Sequence, residues 1–293
     1  MASVQQDAPD EAIDNETRGH SRLNIMGRVL PALPLTVVKA LGMLGERDLN
    51  MRSLSNVLSE DAALAARILT IARSAYYGKR TLPTTLQAAL QVIGLRDLRN
   101  VIISIVTHGL FHSYGTVANA LWSHSLAVAV TSRILSARLA QADPEQAFLA
   151  GLLHDVGQII FLHDDQEGYS QIANDARQNK TQLVEAEQQH YGLDHGSVGA
   201  ALIESWSLDA DIGMAVTVHH NYQEISDPKS LPAVLVMADY LVLKAGLGFF
   251  APAPMPAPEI LQVFALENDQ ALAQAAITLR HAFNTESTLL NAV

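Results

Sequence analysis

Residues 59–72, which read SEDAALAARILTIA, decide the fold class of this chain. Their apolar side chains recur three or four residues apart, which places them on one face of an α-helix. The positions of this face are Leu64, Ala65, Ile68, Leu69 and Ala72. Ser59 is a residue type that caps helix N-termini, so Glu60 and Asp61 would lie in the first turn, where the helix dipole favours acids. The stretch predicts an amphipathic helix that Ser59 caps.

The same spacing recurs on both sides of this helix, between residues that end or begin helices. Gly45, Gly94 and Gly192 follow apolar periodic segments, and Pro144 stands where a first-turn proline would. The segments are predicted over residues 35–44, 54–58, 84–93, 98–106, 122–139, 144–153, 181–190, 195–206, 210–220, 232–244 and, in one or two helices, 259–290. No segment alternates apolar and polar residues as a strand does, and we therefore predict an all-α fold.

The composition of the 293 residues excludes several classes of protein. Apolar residues make up 49% and charged residues 17%, which is too apolar for a disordered chain. The absence of cysteine excludes disulfides, zinc fingers, iron–sulfur ligation and thiol catalysis. No run reaches about 18 apolar residues, and residues 1–16 carry acids without an early basic or apolar block, so we expect neither a membrane span nor a signal peptide. These features predict a cytoplasmic protein without membrane contact.

Two stretches differ in composition from the helical segments. Residues 1–21 are polar, acidic and without periodicity, which predicts a disordered tail. Residues 251–258 contain four prolines and cannot be helical, so residues 247–258 are predicted to form a stiff connector. Residues 259–293 would follow as a C-terminal helical segment that either packs on the core or mediates self-association.

Charge is distributed unevenly along the chain. Residues 22–99 contain eleven bases and five acids, a net charge of +6, whereas residues 100–293 contain seven bases and twenty acids, a net charge of −13. The bases of the first region include Arg67, Arg73, Lys79, Arg80, Arg96 and Arg99. We predict anion binding at Arg96 and Arg99, with a solvated helix surface as the alternative. The net charge of the whole chain, −11, repels nucleic acid, so nucleic-acid binding is not expected.

Histidines and acids in apolar surroundings are the strongest chemical signal in the sequence. Five histidines lie at or near predicted helix ends or within apolar segments: His124, His154, His195, His219 and His220. Asp155 follows His154, and on a helix the two side chains would diverge by about 100° and reach one groove between helices. Asp239 is the only charged residue of the apolar segment 234–243. A buried carboxylate is costly unless it is protonated or meets a cation.

This set of nitrogen and oxygen donors suits a divalent metal such as Mn²⁺, Fe²⁺, Zn²⁺ or Mg²⁺. Each residue also has an ordinary explanation, because a helical histidine is more often a hydrogen-bonded structural residue than a ligand. Asp239 could likewise pair with a buried histidine or arginine. A metal site requires that His124, His154, Asp155 and Asp239 converge in space, and the spacing along the chain does not decide this.

Several motifs together resemble one protein family. His124, the His154–Asp155 pair and Asp239 are similar to the signature of HD-domain metal-dependent phosphohydrolases. Further matching elements are Glu187, residues 191–195 (YGLDH), Gly199, Trp206, the His219–His220 doublet and, in the first half, residues 30–34 (LPALP), 59–67, 74–78 (SAYYG) and 94–98 (GLRDL). Over residues 25–245 the chain resembles the HDOD family of bacterial signalling proteins, which are relatives of the HD-GYP phosphodiesterases. The resemblance implies a multi-helix fold in which an N-terminal helical lobe, residues 22–115, packs on an HD-like helical lobe, residues 116–246.

The resemblance also implies two metal sites. The first would consist of His124, His154, Asp155 and Asp239, and the second of His195, His219 and His220, with Asp155 as the bridge. In HD hydrolases such metals activate a water and polarise a phosphate. Two differences from the HD-GYP enzymes argue against catalytic turnover in this chain. HD-GYP enzymes usually carry a lysine three residues after the aspartate of the pair, where this chain has Gln158, and residues 221–228 lack the Gly-Tyr-Pro element.

From this resemblance we expect a signal-transduction module with a metal-capable pocket and little or no catalysis. Its expected partners are other signalling proteins, with a nucleotide second messenger as a further candidate ligand. One alternative is an active metal-dependent phosphohydrolase that acts on a nucleotide or a cyclic dinucleotide. Another is a structural scaffold in which the histidines and aspartates only bond to one another. No catalytic residue is assigned, and the oligomeric state is left open.

Overall fold

The structure, a computed structural model, describes residues 31–77, 82–139, 142–248 and 254–290. Over these residues the secondary structure consists of helices and turns without a β-strand, which confirms the predicted all-α fold. The predicted tail over residues 1–21 and the bases Lys79 and Arg80 lie outside the described residues. Within the described residues, none of the helices combines the length and the hydropathy that a membrane span requires.

The helices follow one another closely along the chain. The first half contains α1 (Leu35–Leu44), α2 (Met51–Ser59), α3 (Ala62–Ala72), a 3₁₀ turn (Ala75–Tyr77), α4 (Leu86–Ile93), α5 (Leu95–His112) and α6 (Gly115–Ser136). The second half contains α7 (Pro144–Leu153), α8 (Gln158–Asp164), α9 (Gln166–Asn179), α10 (Leu183–Tyr191), α11 (His195–Ser205), α12 (Ala210–Val218), a 3₁₀ turn (Tyr222–Glu224), α13 (Leu231–Lys244), α14 (Pro258–Val263) and α15 (Asp269–Leu290).

Helices α1 to α4 pack on one another and against α5. The predicted helix within residues 59–72 is present, but its cap differs from the prediction. Asp61 rather than Ser59 is the N-cap residue, because its carboxylate accepts a hydrogen bond from the backbone N–H of Leu64 at 3.0 Å. Ser59 instead ends α2, where its hydroxyl donates to the carbonyl of Ser55 at 2.7 Å. An aspartate at the cap satisfies a free N–H and also places its charge at the positive end of the helix.

Helix α6 is the helix around which much of the second half packs. It packs against α5, α7, α13 and α15, and fifteen of its residues are buried. The approach of α7 is close because Gly151 has no side chain. A Cβ at Gly151 would lie 2.7 Å from the backbone of Ala129 in α6, a distance that real Cβ atoms essentially never show. This crossing brings the end of α7 beside the middle of α6.

The remaining helices close the structure around this pair. Helices α11 and α12 pack against each other, α12 contacts α7 and α13, and α8 contacts α11. The C-terminal helices α14 and α15 pack on α13 rather than projecting away, and Leu272 and Leu279 of α15 are buried. The guanidinium of Arg280 donates a hydrogen bond to the carbonyl of Ala245 at the end of α13. The C-terminal segment therefore packs on the core, which is one of the two arrangements predicted for it. The division into two lobes near residue 115 stays a prediction, since one hydrophobic cluster runs from Leu33 to Leu279.

Candidate metal centre

The predicted ligands come from five separate parts of the chain between residues 115 and 244. His124 lies in the middle of α6, His154 caps the end of α7, Asp155 follows it, His195 begins α11, His219 and His220 follow α12, and Asp239 lies in α13. The expectation that His154 and Asp155 share a helix is wrong, because α7 ends at Leu153 and α8 begins at Gln158. The intervening turn, in which the N–H of Gln158 donates to the carbonyl of Asp155 at 3.0 Å, directs both side chains to the same side.

One half of the cluster surrounds Oδ2 of Asp155. This oxygen lies 3.3 Å from Nε2 of His154 and 3.8 Å from Nε2 of His124, and the two imidazole nitrogens are 3.3 Å apart. Oδ1 of Asp239 lies 3.1 Å from Nε2 of His124, yet it accepts no hydrogen bond of acceptable geometry. All four side chains are buried. Of the four residues predicted for the first metal site, His124, His154 and Asp155 place their ligand atoms within 4.8 Å of one another, and Asp239 contacts His124.

The other half of the cluster surrounds Oδ1 of the same carboxylate. Nε2 of His195 lies 3.1 Å from this oxygen, and Nε2 of His219 lies 3.9 Å from it. Nε2 of His195 is 3.3 Å from Nε2 of His219 and 3.0 Å from Nε2 of His220. We call Asp155, His195, His219 and His220 the three-histidine group, and His124, His154, Asp155 and Asp239 the two-histidine group. Asp155 joins them, with one carboxylate oxygen in each.

The spacing of these atoms fits a coordination sphere. Ligands that lie about 2.1 Å from a cation are separated from one another by about 3.0–3.4 Å in octahedral or tetrahedral geometry. The nitrogen and oxygen atoms in direct contact within each half lie 3.0–3.9 Å apart. One ligand atom each of His124, His154 and Asp155, and one each of Asp155, His195, His219 and His220, lie within 4.8 Å of one another. The group of His124, His154 and Asp155 and the three-histidine group are therefore close to the size that a single divalent ion requires.

Hydrogen bonds outside the cluster determine which ring nitrogens face inward. Nδ1 of His154 lies 2.8 Å from the carbonyl of Gly151, and Nδ1 of His219 lies 2.5 Å from the carbonyl of Val216. A carbonyl oxygen can only accept, so each Nδ1 carries a proton, and in the neutral ring Nε2 presents its lone pair to Asp155. Lone pairs that face a carboxylate repel it unless a proton or a cation lies between them. The site is therefore built to hold positive charge.

The pKa values follow from burial and from the three nearby carboxylates. Burial disfavours the imidazolium of His195, but Glu187 and Asp155 outweigh burial and hold its pKa well above the ordinary value. Burial lowers the pKa of His219 to about 3, helped by the neighbouring imidazoles. Burial alone would raise the pKa of Asp155, but His154 and His195 bring it well below its usual range. Asp155 is therefore a charged candidate ligand, and His219 is a neutral one.

Two residues of the site had no assigned role in the sequence. Glu187 of α10 is one of the residues that carry the family resemblance. Tyr169 of α9 was not singled out, because an aromatic residue on an amphipathic helix normally indicates a position in the hydrophobic core. In the structure the Tyr169 hydroxyl donates to Oε1 of Glu187 at 2.6 Å, and His195 donates to Oε2. A carboxylate eight residues before a histidine, on the buried side of its helix, is the pattern that could have indicated this contact.

Access to the cluster is narrow. The cavity beside it has a volume of about 30 Å³, room for about two water molecules. Gln158, Thr181, Gln182 and Leu183 line it together with the ligands. Gln158 is 1% exposed, and its Oε1 has no hydrogen-bond partner.

The predicted anion-binding pair lies elsewhere. Arg96 and Arg99 line a groove of about 330 Å³ between α1, α5 and the second half of the chain. Asp143, Glu145 and Asp209 line the same groove, so its charges are mixed. Anion binding by Arg96 and Arg99 stays a prediction.

Comparison with known proteins relates this chain to one family and one fold. The model of the HDOD domain matches residues 30–222. An uncharacterised protein of Treponema pallidum (strain Nichols) is 23% identical over 265 residues, which cover 88% of this chain and 50% of that protein. The chain thus spans about half the length of this curated relative.

Solved structures have the same fold. An HDOD domain protein of unknown function from Geobacter sulfurreducens is 26% identical, with a TM-score of 0.71 over 95% of this chain and 97% of that one. A protein from Shewanella amazonensis SB2B, provisionally named a metal-dependent phosphohydrolase, is 18% identical, with a TM-score of 0.63 over 93% and 99% of the two chains. A provisionally named signal transduction protein from Marinobacter aquaeolei VT8 is 18% identical, with a TM-score of 0.73 over 96% and 67%. At 18% identity, the last two support the fold alone.

Proposed function

This chain belongs to the HDOD domain family, and we propose that it is a bacterial signal-transduction module that binds divalent metal in its His/Asp cluster and has little or no catalytic turnover. We further propose that it works in the cytoplasm through contacts with other signalling proteins, with a nucleotide second messenger as a candidate ligand. A relative that is twice as long is consistent with a module that operates beside further domains.

The convergence of lone pairs on Asp155 supports metal binding most directly. Imidazole nitrogens and carboxylate oxygens surround each oxygen of Asp155, and the protons of His154 and His219 are held on the far side of their rings. Wherever the inward ring nitrogen of a cluster histidine is unprotonated, an acceptor faces the acceptor oxygens of Asp155, and a cation between them would relieve this repulsion. We propose two ions, one in the two-histidine group and one in the three-histidine group, with Asp155 between them. Mn²⁺, Fe²⁺, Zn²⁺ and Mg²⁺ are the candidates that mixed nitrogen and oxygen ligands admit.

Two features of the cavity beside the cluster favour low catalytic turnover. Ligand-binding pockets for drug-sized molecules measure about 300 Å³ or more, whereas the cavity beside the cluster measures about 30 Å³. Gln158 provides a neutral amide where a phosphate ester would need a cation. When bound, a divalent ion supplies Lewis acidity and a water of lowered pKa. Without room or charge for the ester, the residues of this chain would hold the ions and not position a substrate.

The alternative is an active phosphohydrolase, which the complete ligand set favours. The two proposals separate in one experiment on purified protein. Mn²⁺ binding is measured by calorimetry, the metal content by elemental analysis, and hydrolysis with bis(p-nitrophenyl) phosphate and cyclic di-GMP at saturating Mn²⁺. We expect about two bound ions per chain and no hydrolysis above the level of His154→Ala. Fast hydrolysis that His154→Ala abolishes would establish the alternative.

A matched variant controls for general damage. His190 is exposed on α10, and His190→Ala should bind Mn²⁺ as tightly as the natural sequence does. If neither the natural chain nor this control binds Mn²⁺ or Zn²⁺, the cluster is a structural scaffold and the proposal of metal binding is wrong.

A further inference from the structure

Glu187 is a charged residue in the core with no direct contact to the proposed ions. Its side chain is 0% exposed, although an isolated carboxylate in such surroundings would be strongly destabilising. Three hydrogen bonds compensate the charge. His195 donates both its backbone N–H, at 2.9 Å, and its Nδ1–H, at 2.7 Å, to Oε2, and the Tyr169 hydroxyl donates to Oε1 at 2.6 Å.

The partners of Glu187 are themselves immobilised. Tyr169 is fully buried, and its ring stacks on Phe161 with centroids 5.3 Å apart and an interplanar angle of 20°. The ring of Tyr191 stacks on Phe161 at 4.7 Å. Both carboxylate oxygens are occupied, so Glu187 has one position, and through it the ring of His195 has one orientation.

His195 in turn occupies the centre of the three-histidine group. Its Nε2 lies within 3.3 Å of Oδ1 of Asp155 and of Nε2 of both His219 and His220. Nδ1 of His154 and of His219 is held by a backbone carbonyl, and Nδ1 of His124 is buried without a partner. Among the five cluster histidines, His195 is the one whose Nδ1 lies at a side-chain carboxylate in the described structure.

We propose that Glu187 is a positioning residue that sets the cation affinity of the three-histidine group through His195. The proposal rests on the proposed metal binding. A carboxylate on the far nitrogen of a ligand histidine fixes its tautomer and ring orientation and increases the electron density on the ligating nitrogen, and loss of such a partner typically weakens metal binding by about 10–100-fold. The two-histidine group has no contact with Glu187 and should not change.

The test compares variants by calorimetric titration with Mn²⁺. Glu187→Gln keeps the size of the side chain and removes its charge, and we expect one of two ions to bind about 10–100-fold more weakly while the other is unchanged. Glu185→Gln is the matched control, because Glu185 is exposed two residues earlier on the same helix. Equal affinities in Glu187→Gln and Glu185→Gln would overturn the inference and leave the proposed function intact. A natural chain that binds no metal would overturn both.

A second variant serves if Glu187→Gln does not fold. Tyr169→Phe removes the hydroxyl that fixes Oε1 and leaves the carboxylate in place. We expect severalfold weaker binding of the same ion, and a changed absorption spectrum when Co²⁺ replaces Mn²⁺, because the geometry around His195 relaxes. An unchanged affinity together with an unchanged Co²⁺ spectrum would overturn the inference.

Discussion

We expect Gly157→Ala to move Asp155, which lies just before α8, away from His195, which begins α11. Gly157 has a φ of −61°, which any residue can adopt, so the effect comes from packing and not from backbone strain. A Cβ at this position would lie 2.0 Å from the carbonyl oxygen of His195 and 2.7 Å from the amide nitrogen of Gly199. These are backbone atoms and cannot rotate away.

The size of the effect follows from these distances. Ordinary contact begins at 3.4 Å, so the two backbones must separate by about 1.4 Å. Overpacking of this kind costs about 1–3 kcal/mol. Metal ligands tolerate deviations of about 0.2 Å, and the 3.1 Å separation between Asp155 and His195 lies across the same junction. We therefore expect lower stability and at least tenfold weaker Mn²⁺ binding in the three-histidine group.

Chemical denaturation measures the stability and calorimetry the affinity. The matched control is Gly213→Ala in α12, where a Cβ would meet nothing closer than a side-chain methyl of Ile203 at 3.8 Å. Alanine in a helix interior is favoured over glycine by about 0.5–1 kcal/mol, so this control should be slightly more stable than the natural chain. If Gly157→Ala matched the natural chain in both stability and Mn²⁺ affinity, the proposed dependence on close packing would be wrong.

Three further predictions concern metal binding, the pH dependence of stability and one hydrogen bond. Free Mn²⁺ at about 1,000 times its dissociation constant should stabilise the natural chain by about 4 kcal/mol, which a thermal melt shows as a higher midpoint temperature. A chelator should reverse this increase, and the increase should be much smaller in His154→Ala. Burial raises the pKa of Glu145, so the contribution of its protonated form to the free energy of unfolding is present at low pH and is lost as pH rises through the folded pKa. In urea denaturation, the stability of Glu145→Gln relative to the natural chain should therefore be higher at pH 7 than at pH 4. Trp206→Phe removes the indole N–H that donates to the carbonyl of Pro31 at 2.8 Å and should cost about 1–2 kcal/mol by the same measurement, whereas no loss would show that this bond contributes nothing.

The fold class and most helices could be predicted because helical periodicity is local. Apolar positions three and four residues apart indicated α3 and its neighbours, and Pro144 begins α7 as predicted. Boundaries and caps were less certain. Asp61 and Ser59 both suit a cap, and the choice depends on which side chain reaches a free N–H once the chain is folded. The turn at His154 and Asp155 was missed, because apolar residues continue across it from Leu152 to Ile159, although Gly157 stands at the N-cap of α8.

The identity of the candidate ligands could also be read from the sequence, but their arrangement could not. Asp239 stood out as a lone charge in an apolar segment, whereas Glu187 stood among other polar residues of an amphipathic helix. Its importance depends on a contact with His195, which begins another helix.

The sequence by itself determined that the chain is all-α and that histidine and aspartate are available in apolar surroundings, since both follow from residue types and local spacing. Tertiary structure decided that His124 and Asp239, 115 positions apart, lie 3.1 Å from each other. It also placed one oxygen of Asp155 in each half of the cluster. The physical reason is that such distances depend on how closely the backbones approach one another. At Gly151 and Gly157 the close approach is possible because glycine has no Cβ.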